Sequence, residues 1–513
     1  MHNHEKQPSS DVKDNDQGSE ARPQCGESIK GGTLIAEEVR LHKPFTTLTA
    51  MGLGHSITNT AITLLVGMSS SIALGGPPLF IWGFVAMAVV GVAVSVSLGE
   101  LASALPHTGG QYFWVAVLGP PRFRRFLSYI TGIVAWAAAI CTTASVCLVV
   151  PIMIFNMVSI RNPDFIYQPW MGFVGYQIIN IFLFLFNLYS KCLPYISSSL
   201  LIFTVSSLIV MFVSMLAVSS PKQDPSRVFV DLYNSSGWPD GVAFLIGINA
   251  PSWGFSSLDA VVHLADEIPN PRRNIPKALL LTVTVGSFTG ILILLSAFFS
   301  ATNLENIATS TTPSLQIFYQ AFGGNLAAAV GLQALVTVSA AGSIIGIHTW
   351  QSRMAWAFSR DKGFPFHRYL NRIAPEPFAT PIYAHIWSCA WTALLGCLYL
   401  GSQLAFNSLV SAGMLLQYIT YSTSIVCLLW YGRSNLRHGP FWFPRFGLVC
   451  NIITVIWSLT AVVFYSFPYY FPTEADQMNY VSCVIVGVFL YALLYWVLFG
   501  KREFSPPQPE YYD

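Results

Sequence analysis

The stretch Gly241–Pro271, GVAFLIGINAPSWGFSSLDAVVHLADEIPNP, is an apolar run that is broken in its middle. Pro251 disrupts a helix because it has no N–H to donate and its ring clashes with the preceding turn. Gly254 and its polar neighbours lie at the depth of a membrane core, where freed backbone groups are costly unless they line a cavity. The stretch therefore predicts a membrane helix that is interrupted near Ser252–Phe255.

A second stretch, Met51–Ser71 (MGLGHSITNTAITLLVGMSSS), has the same character, with Gly52 and Gly54 among polar residues. Alone, this pattern allows two interpretations. One is close helix packing through small residues; the other is an unwound helix whose free backbone groups bind a solute. Because the pattern occurs twice, we favour the second interpretation and predict the other break near Gly54–Thr58.

The composition indicates an integral membrane protein. Of 513 residues, 53% are hydrophobic and 10% are charged, and the mean hydropathy is +0.54. A soluble domain carries about 25% charged residues. The apolar runs are continuous over about 20 residues, which predicts α-helical spans rather than barrel strands. The 26 Lys and Arg nearly balance the 24 Asp and Glu, so a nucleic-acid-binding surface is excluded.

Twelve apolar runs predict an all-α protein with twelve transmembrane helices, near 46–72, 79–105, 126–154, 171–190, 195–219, 241–266, 277–300, 325–358, 382–401, 404–430, 446–467 and 478–499. Interruptions in the first and sixth runs match a five-plus-five inverted repeat, in which these two helices correspond. We expect a disordered cytosolic tail at 1–43 and an inverted-repeat core at 44–400 that the tenth helix completes. Helices ten to twelve occupy 401–500, and a second cytosolic tail follows at 501–513.

The Lys and Arg residues predict the orientation. With both tails in the cytosol, the inner loops contain Arg122, Arg124, Arg125, Lys191, Arg272, Arg273, Lys277, Arg353, Arg360, Lys362, Arg368, Arg372, Arg433, Arg437 and Arg445. The outer loops contain only Arg161, Lys222 and Arg227. Because cytoplasmic loops carry the excess of positive charge, we expect cytosolic termini, and we expect the plasma membrane. One outer loop contains a glycosylation sequon at Asn234.

The residues at the two breaks form the predicted solute-binding set: Gly54, Ser56, Ile57, Thr58, Asn59, Ser252, Trp253, Gly254, Phe255 and Asp259. Asp259 lies inside an apolar run, where an ionisable residue points to function. It could pair with a cationic solute, bond to freed backbone groups or move a proton; a structural tie between helices is an equal alternative. Trp253 and Phe255 offer ring faces for an ammonium group, and ordinary packing is their alternative.

Four charged residues are candidates for gating. Glu100 lies nearer the cytosolic end of its span, which favours gating or loop anchoring over solute contact. Arg353, Arg360 and Asp361 close the eighth span, where ion pairs would seal the inner mouth. Membrane orientation alone is the plainer explanation of these charges.

No catalytic, metal or cofactor motif is present. The chain has no phosphate-binding loop and no Gly-x-Ser-x-Gly elbow, and its nine Cys residues show no metal-ligand spacing. We therefore expect neither an enzyme nor a bound metal or cofactor. An ion gradient or the solute's own gradient must supply the energy.

Five stretches resemble the fungal amino acid/choline transporter group of the amino acid–polyamine–organocation superfamily: GLGHSITNTAITLL, GGPPLFIWGF, SLGELASALPHTGGQYFWVAVLGP, APSWGFSSLDAVVHLADEIPNPRRNIPKAL and SRMAWAFSRDKGFP. The resemblance covers about residues 35 to 500. It implies twelve helices, of which the first ten form the inverted repeat, and a solute site between the breaks of helices one and six. Some superfamily members place a Lys in helix five that substitutes for sodium; span five here has none.

These observations predict a secondary transporter that takes up a small amine or amino acid such as choline, γ-aminobutyrate or a polyamine. Its expected partners are the solute, the lipid bilayer and a coupling ion, for which we expect the proton. The alternative is a non-transporting nutrient receptor on the same fold.

Overall fold

The computed structural model describes residues 45–68, 71–474 and 477–506. The predicted tail at 1–43 lies outside these residues, as does most of the predicted tail at 501–513. The described chain is mostly helical, with one antiparallel pair of two-residue strands, β1 (Leu74–Gly75) and β2 (Tyr233–Asn234).

The helices are α1 (Thr47–Thr58), α2 (Thr60–Gly67), α3 (Gly76–Ala104), α4 (Gln111–Leu118), α5 (Arg124–Arg161), α6 (Pro169–Phe184), α7 (Leu193–Val218), α8 (Pro225–Phe229), α9 (Asp240–Gly247), α10 (Asn249–Trp253), α11 (Pro271–Ser300), α12 (Leu304–Ala308), α13 (Pro313–Ala321), α14 (Leu326–Arg360), α15 (His367–Leu370), α16 (Ile382–Gly401), α17 (Gln403–Tyr431), α18 (Phe446–Phe464), α19 (Val481–Tyr495) and α20 (Lys501–Glu503). A 3-10 helix, Leu258–Leu264, follows α10.

Nine of the described helices are long and apolar enough to cross a membrane. These are α3, α5, α6, α7, α11, α14, α17, α18 and α19, of which α6, α7 and α19 are counted with the short helical turns that adjoin them. The prediction of a multi-pass α-helical membrane protein is confirmed.

The helices differ in how far they are buried. In α3, α5 and α14, 67% of the most apolar window is buried, against 11% in α19. Peripheral helices expose large apolar side chains such as Ile202, Leu459 and Leu490, a surface that suits lipid rather than water. α1 packs against α7, α11 and α14, so the interrupted first helix lies in the interior.

The first interruption is a single residue. α1 begins with a capping box between Thr46 and Thr49, and it ends where Asn59 adopts a left-handed conformation with φ 39°. Asn tolerates this conformation better than most residues. The predicted break at Gly54–Thr58 is helical throughout, so the actual break lies one residue beyond that range.

The second interruption is longer. α9 and α10 carry the chain to Trp253; a turn follows, in which Ser257 is left-handed with φ 60°, and the 3-10 helix then begins. The predicted break at Ser252–Phe255 overlaps the start of this turn.

Candidate functional site

The two interruptions are bonded to each other and to α14. Thr60 Oγ1 donates a hydrogen bond of 2.7 Å to the carbonyl oxygen of Gly254. Asn59 Nδ2 donates to Ser339 O at 3.0 Å and to Ser343 Oγ at 2.9 Å. The left-handed residue is thus fixed by its surroundings, as a strained backbone position requires.

A cavity of about 410 Å³ lies between the interruptions, within the range of small-molecule sites. Its polar lining residues are Thr58, Asn59, Thr63, Thr142, Ser145, Asn249, Ser256, Ser343, Asn407, Ser411 and Tyr469. Within the described ranges, no Asp, Glu, Lys, Arg or His lines it. A solute in this cavity would meet neutral dipoles, ring faces and aliphatic side chains such as Ile57 and Val146.

A second cavity, of about 480 Å³, shares Val66, Val149 and Asn407 with the first. It reaches Asn156 and Thr311 near the loops that the sequence predicts to be extracellular. The shared walls make the two cavities neighbours along one path towards that end of the bundle.

The cavity is lined by four of the ten residues predicted to bind solute: Ile57, Thr58, Asn59 and Trp253. The structure places the other six away from its lining: Gly54, Ser56, Ser252, Gly254, Phe255 and Asp259.

Packing and hydrogen bonds account for the positions of four of these six. A Cβ at Gly54 would lie 2.8 Å from Thr282 Oγ1 and from Val261 Cγ2, so this glycine permits a close approach of α1 to its neighbours. Ser56 Oγ donates to the carbonyl of Leu53 in its own helix. The ring of Phe255 stacks on Phe84 in α3, with ring centroids 5.2 Å apart. Ser252 is hydrogen-bonded to Tyr465.

Asp259 is completely enclosed by hydrogen-bonding side chains. Its Oδ1 accepts from Tyr421 OH at 2.5 Å, and its Oδ2 accepts from Gln111 Nε2 at 2.8 Å. His263 Nε2 lies 3.3 Å from Oδ2, and His263 Nδ1 lies 2.8 Å from Thr108 O. The carboxylate therefore ties the 3-10 helix to α4 and α17, one of the roles considered for it from sequence.

Gln417 connects this carboxylate to the cavity. Its Nε2 donates to Thr142 Oγ1 at 3.2 Å, and Thr142 lines the cavity. Its Oε1 accepts from Ser257 N at 2.6 Å and lies 3.4 Å from Tyr421 OH, whose single proton is donated to Asp259 Oδ1. Polar contacts thus run from the cavity wall through Gln417 and Tyr421 to Asp259.

Glu100 anchors a loop. The buried carboxylate pairs with both terminal nitrogens of Arg433, at 2.7 and 3.0 Å, and accepts from Phe443 N at 2.8 Å. It thereby fastens the loop between α17 and α18 to α3.

The other three gating candidates lie together at the end of the bundle predicted to be cytosolic. Arg353 and Glu267 form a buried pair with an Nε–Oε1 distance of 2.8 Å, and each side chain is 1% exposed. Arg360 pairs with Asp266 at 3.0 Å, where both are about a third exposed. Asp361, in the loop after α14, accepts from Tyr112 OH at 2.8 Å.

The pKa of Asp361 is raised from 3.8 to about 7. Burial is the main cause, because a desolvated carboxylate is disfavoured in its charged form. The hydrogen bond from Tyr112 and the charge of Arg360 act in the opposite direction.

Sequence reasoning missed most of the cavity wall, including Thr142, Ser343, Asn407 and Tyr469. These residues come from α5, α14 and α17 and from the loop after α18, so no short stretch of sequence brings them together. Their only local signal is that they are polar residues in or beside apolar runs.

Asn234, the predicted glycosylation site, lies in β2. Its side-chain amide donates to Trp238 O at 2.8 Å and to Asp240 Oδ1 at 2.9 Å. The amide thus organises the turn after β2.

Comparison with known proteins gives one family and several transporters. A family model described as amino acid permease matches residues 45–489. A transmembrane transporter, swnT, of Metarhizium robertsii is 46% identical over 92% of this chain and 95% of its own. A swainsonine transporter of Arthroderma benhamiae is 44% identical over 91% and 93%. A choline transporter of Saccharomyces cerevisiae is 39% identical over 94% and 86%.

Proposed function

The chain belongs to the amino acid permease family, and from this premise we propose that it is a secondary transporter that takes up a small amine or amino acid with protons by alternating access. The observation that carries the proposal is the cavity bounded by both interrupted helices, whose lining combines uncharged polar side chains with aliphatic and aromatic ones. Discontinuous helices of this kind form the solute sites of many secondary transporters. The relatives are named as transporters, which disfavours the non-transporting receptor that the sequence left open.

An amine is the favoured class of solute. Asn59 Oδ1 is a buried acceptor at the cavity wall with no hydrogen-bond partner among the described residues. Trp253 and Tyr469 add ring faces, which attract a desolvated cation by about 2 kcal/mol. Two relatives are named as transporters of swainsonine and of choline, and choline carries a quaternary ammonium group that ring faces can bind.

We assign proton coupling to the Asp259–His263 pair. Two titratable groups 3.3 Å apart can share or exchange a proton. Tyr421 also bonds the carboxylate, while Thr108 O binds the other imidazole nitrogen. Gln417 lies between the pair and the cavity wall, bonded to Thr142 and in polar contact with Tyr421, and we assign to it the link between solute binding and protonation.

The proposed gate is the group of pairs Arg353–Glu267, Arg360–Asp266 and Tyr112–Asp361, which closes the cytosolic end. The second cavity, which reaches Asn156 and Thr311, suits a state in which the transporter is open to the outside. Breaking a buried pair such as Arg353–Glu267 costs about 3–5 kcal/mol, so transport must replace these bonds by others when the gate opens.

The proposal includes twelve spans in a five-plus-five inverted repeat, in the plasma membrane, with both termini cytosolic. The nine long helices, the two interrupted helices and the 20-residue α16 together support this number. We test the orientation by labelling Ser235→Cys and Ser9→Cys from outside against the parent background. Ser235→Cys is expected to react and Ser9→Cys is not; the reverse pattern overturns the orientation.

The experiment that tests the function is radiolabelled uptake in a host that lacks its own amine permeases. The panel is choline, γ-aminobutyrate, putrescine and glutamate. We expect uptake of an amine, with external acid increasing it and a protonophore abolishing accumulation. Uptake of glutamate alone, or no uptake above the empty host, contradicts the proposal.

The isosteric variant Asp259→Asn tests the coupling. It is expected to exchange labelled solute across the membrane while losing accumulation driven by a pH gradient. Asp164→Asn, in the exposed loop after α5, is the matched control and keeps both activities. If Asp259→Asn accumulates solute as the parent does, the coupling assignment is wrong.

A further inference from the structure

A cluster of two histidines and one cysteine lies between α14 and α16, apart from the solute cavity. His348 and His385 are buried, and Cys389 is partly buried. His348 Nε2 lies 4.0 Å from Cys389 Sγ, and His385 Nδ1 lies 3.8 Å from it. The three ligand atoms lie within 4.8 Å of one another.

These separations suit an ion rather than direct contacts. They are too long for strong hydrogen bonds from an imidazole to the sulfur. An ion about 2.0 Å from each nitrogen and about 2.3 Å from the sulfur, in a trigonal arrangement, separates nitrogen from sulfur by about 3.8 Å. The two nitrogen–sulfur distances match this value within a few tenths of an ångström. The two nitrogens lie within 4.8 Å of each other, and the same arrangement brings them to about 3.5 Å.

The surrounding hydrogen bonds prepare two of the three ligands. His385 Nε2 lies 3.4 Å from Phe184 O; a proton on that nitrogen leaves Nδ1 free to bind a metal, the usual role of an outer partner. Gln351 Oε1 accepts from Thr143 at 2.8 Å, and its Nε2 donates to Cys389 Sγ at 3.4 Å. The amide donor is directed at the sulfur, and metal binding displaces the thiol proton, because the thiolate is the form that binds metals.

We propose that His348, His385 and Cys389 bind a monovalent d¹⁰ metal ion, Cu⁺, which links α14 to α16. Thiolate and imidazole ligands suit copper and zinc. Cu⁺ with one thiolate and two neutral imidazoles is uncharged, whereas Zn²⁺ leaves a net positive charge. A net charge is costly inside the membrane, so the charge balance selects Cu⁺.

No metal-ligand spacing is visible in the sequence because His348 and Cys389 are 41 residues apart and lie on different helices. Only His385 and Cys389, which are four residues apart in α16, share a local pattern.

The test is a Cu⁺ competition on the full-length protein, purified in detergent without metal and under reducing, anaerobic conditions. A chromogenic Cu⁺ chelator measures how much metal the protein retains. We expect about one retained Cu⁺ per chain and a higher melting temperature of the loaded protein, because a ligand of the folded state stabilises it.

Two variants and a matched control decide the ligand set. Cys389→Ser and His385→Gln are expected to release the metal to the chelator and to show no metal-dependent shift in melting temperature. Cys397→Ser, an exposed cysteine two turns further along α16, keeps both properties. The proposal is overturned if the parent protein retains no Cu⁺, or if Cys397→Ser loses the metal as Cys389→Ser does. Either variant alone suffices should the other fail to fold.

Discussion

The two interrupted helices use their breaks in opposite ways. The first break is one left-handed residue, and Ile57, Thr58 and Asn59 around it all line the cavity. The second break is a four-residue turn, of which only Ser256 lines the cavity, together with Trp253 before it. The remaining residues of the second break are directed into the protein.

This difference separates contact with the solute from connection to the scaffold. Around the second break, Ser252 is bonded to Tyr465, Phe255 stacks on Phe84, and Asp259 accepts from Tyr421. In the transporter proposed above, the first break would supply the wall that a solute touches, and the second would connect that wall to α3, α17 and the loop after α18.

Gly54→Leu is the substitution with the largest expected effect, and it tests how tightly the helix before the first break is packed. A Cβ at Gly54 already lies within 2.8 Å of two side chains, and overpacking costs about 1–3 kcal/mol or more. We expect uptake to be lost. In the control Gly52→Ala the new Cβ has no neighbour closer than 3.5 Å, so uptake persists. If the two substitutions reduced uptake equally, Gly54 would not be a point of close contact between α1 and the neighbouring side chains.

Tyr421→Phe tests whether the second break acts through its anchors. The change removes one hydrogen bond from the buried Asp259. Loss of a donor to a buried acceptor costs about 1–3 kcal/mol. We expect a lower maximal rate with little change in apparent KM. Tyr431→Phe, exposed on the same helix, is the control. A change confined to KM contradicts the anchoring role.

Asn59→Gly and Asn59→Ala sharpen the role of the first break. Both remove the bonds to α14 and the free acceptor, so both raise KM for an amine. Glycine adopts the left-handed conformation freely, whereas alanine costs about 1–2 kcal/mol there. Melting temperatures should therefore fall further for Asn59→Ala than for Asn59→Gly. Equal melting temperatures would mean that the left-handed residue relaxes when substituted.

Asp361 gives the smallest expected effect, a pH dependence at the gate rather than at either break. Its pKa is about 7 in the folded protein against 3.8 unfolded. The protonated carboxyl therefore contributes its full stabilisation of the folded state below about pH 4. This contribution is lost as the pH rises through about 7. Between pH 5 and 8, the melting temperature of the parent should fall relative to Asp361→Asn. Parallel curves would contradict the raised pKa.

The amino-acid sequence predicts the fold well because membrane helices leave a strong local signal. α16 begins and ends at the predicted residues, and most other spans agree within a few residues. Breaks are harder to place: Gly54 resembles a helix breaker in sequence, yet it remains helical because tertiary packing needs its missing side chain.

The candidate site could be predicted only in part. Asn59 and Trp253 were found because each lies at an interruption of its own helix. Asp259 stands out in the sequence as a carboxylate inside an apolar run, but the sequence could not show that Tyr421 and Gln111, from distant helices, enclose it. Walls built by several helices are set by long-range packing, which a single stretch of sequence does not record.

Solute binding to Trp253 and Phe255 variants is the measurement that tests the central claim most directly. Trp253 lines the cavity and Phe255 packs against Phe84, although only one residue separates them.

We would measure equilibrium binding of the best-transported amine to the purified parent, Trp253→Ala, Trp253→Phe and Phe255→Leu. Trp253→Ala should raise Kd by about 10- to 30-fold, the equivalent of one desolvated cation–π contact. Trp253→Phe should raise it less, and Phe255→Leu should leave Kd unchanged. An unchanged Kd in Trp253→Ala, or a larger rise in Phe255→Leu, would contradict the separation of solute contact from anchoring.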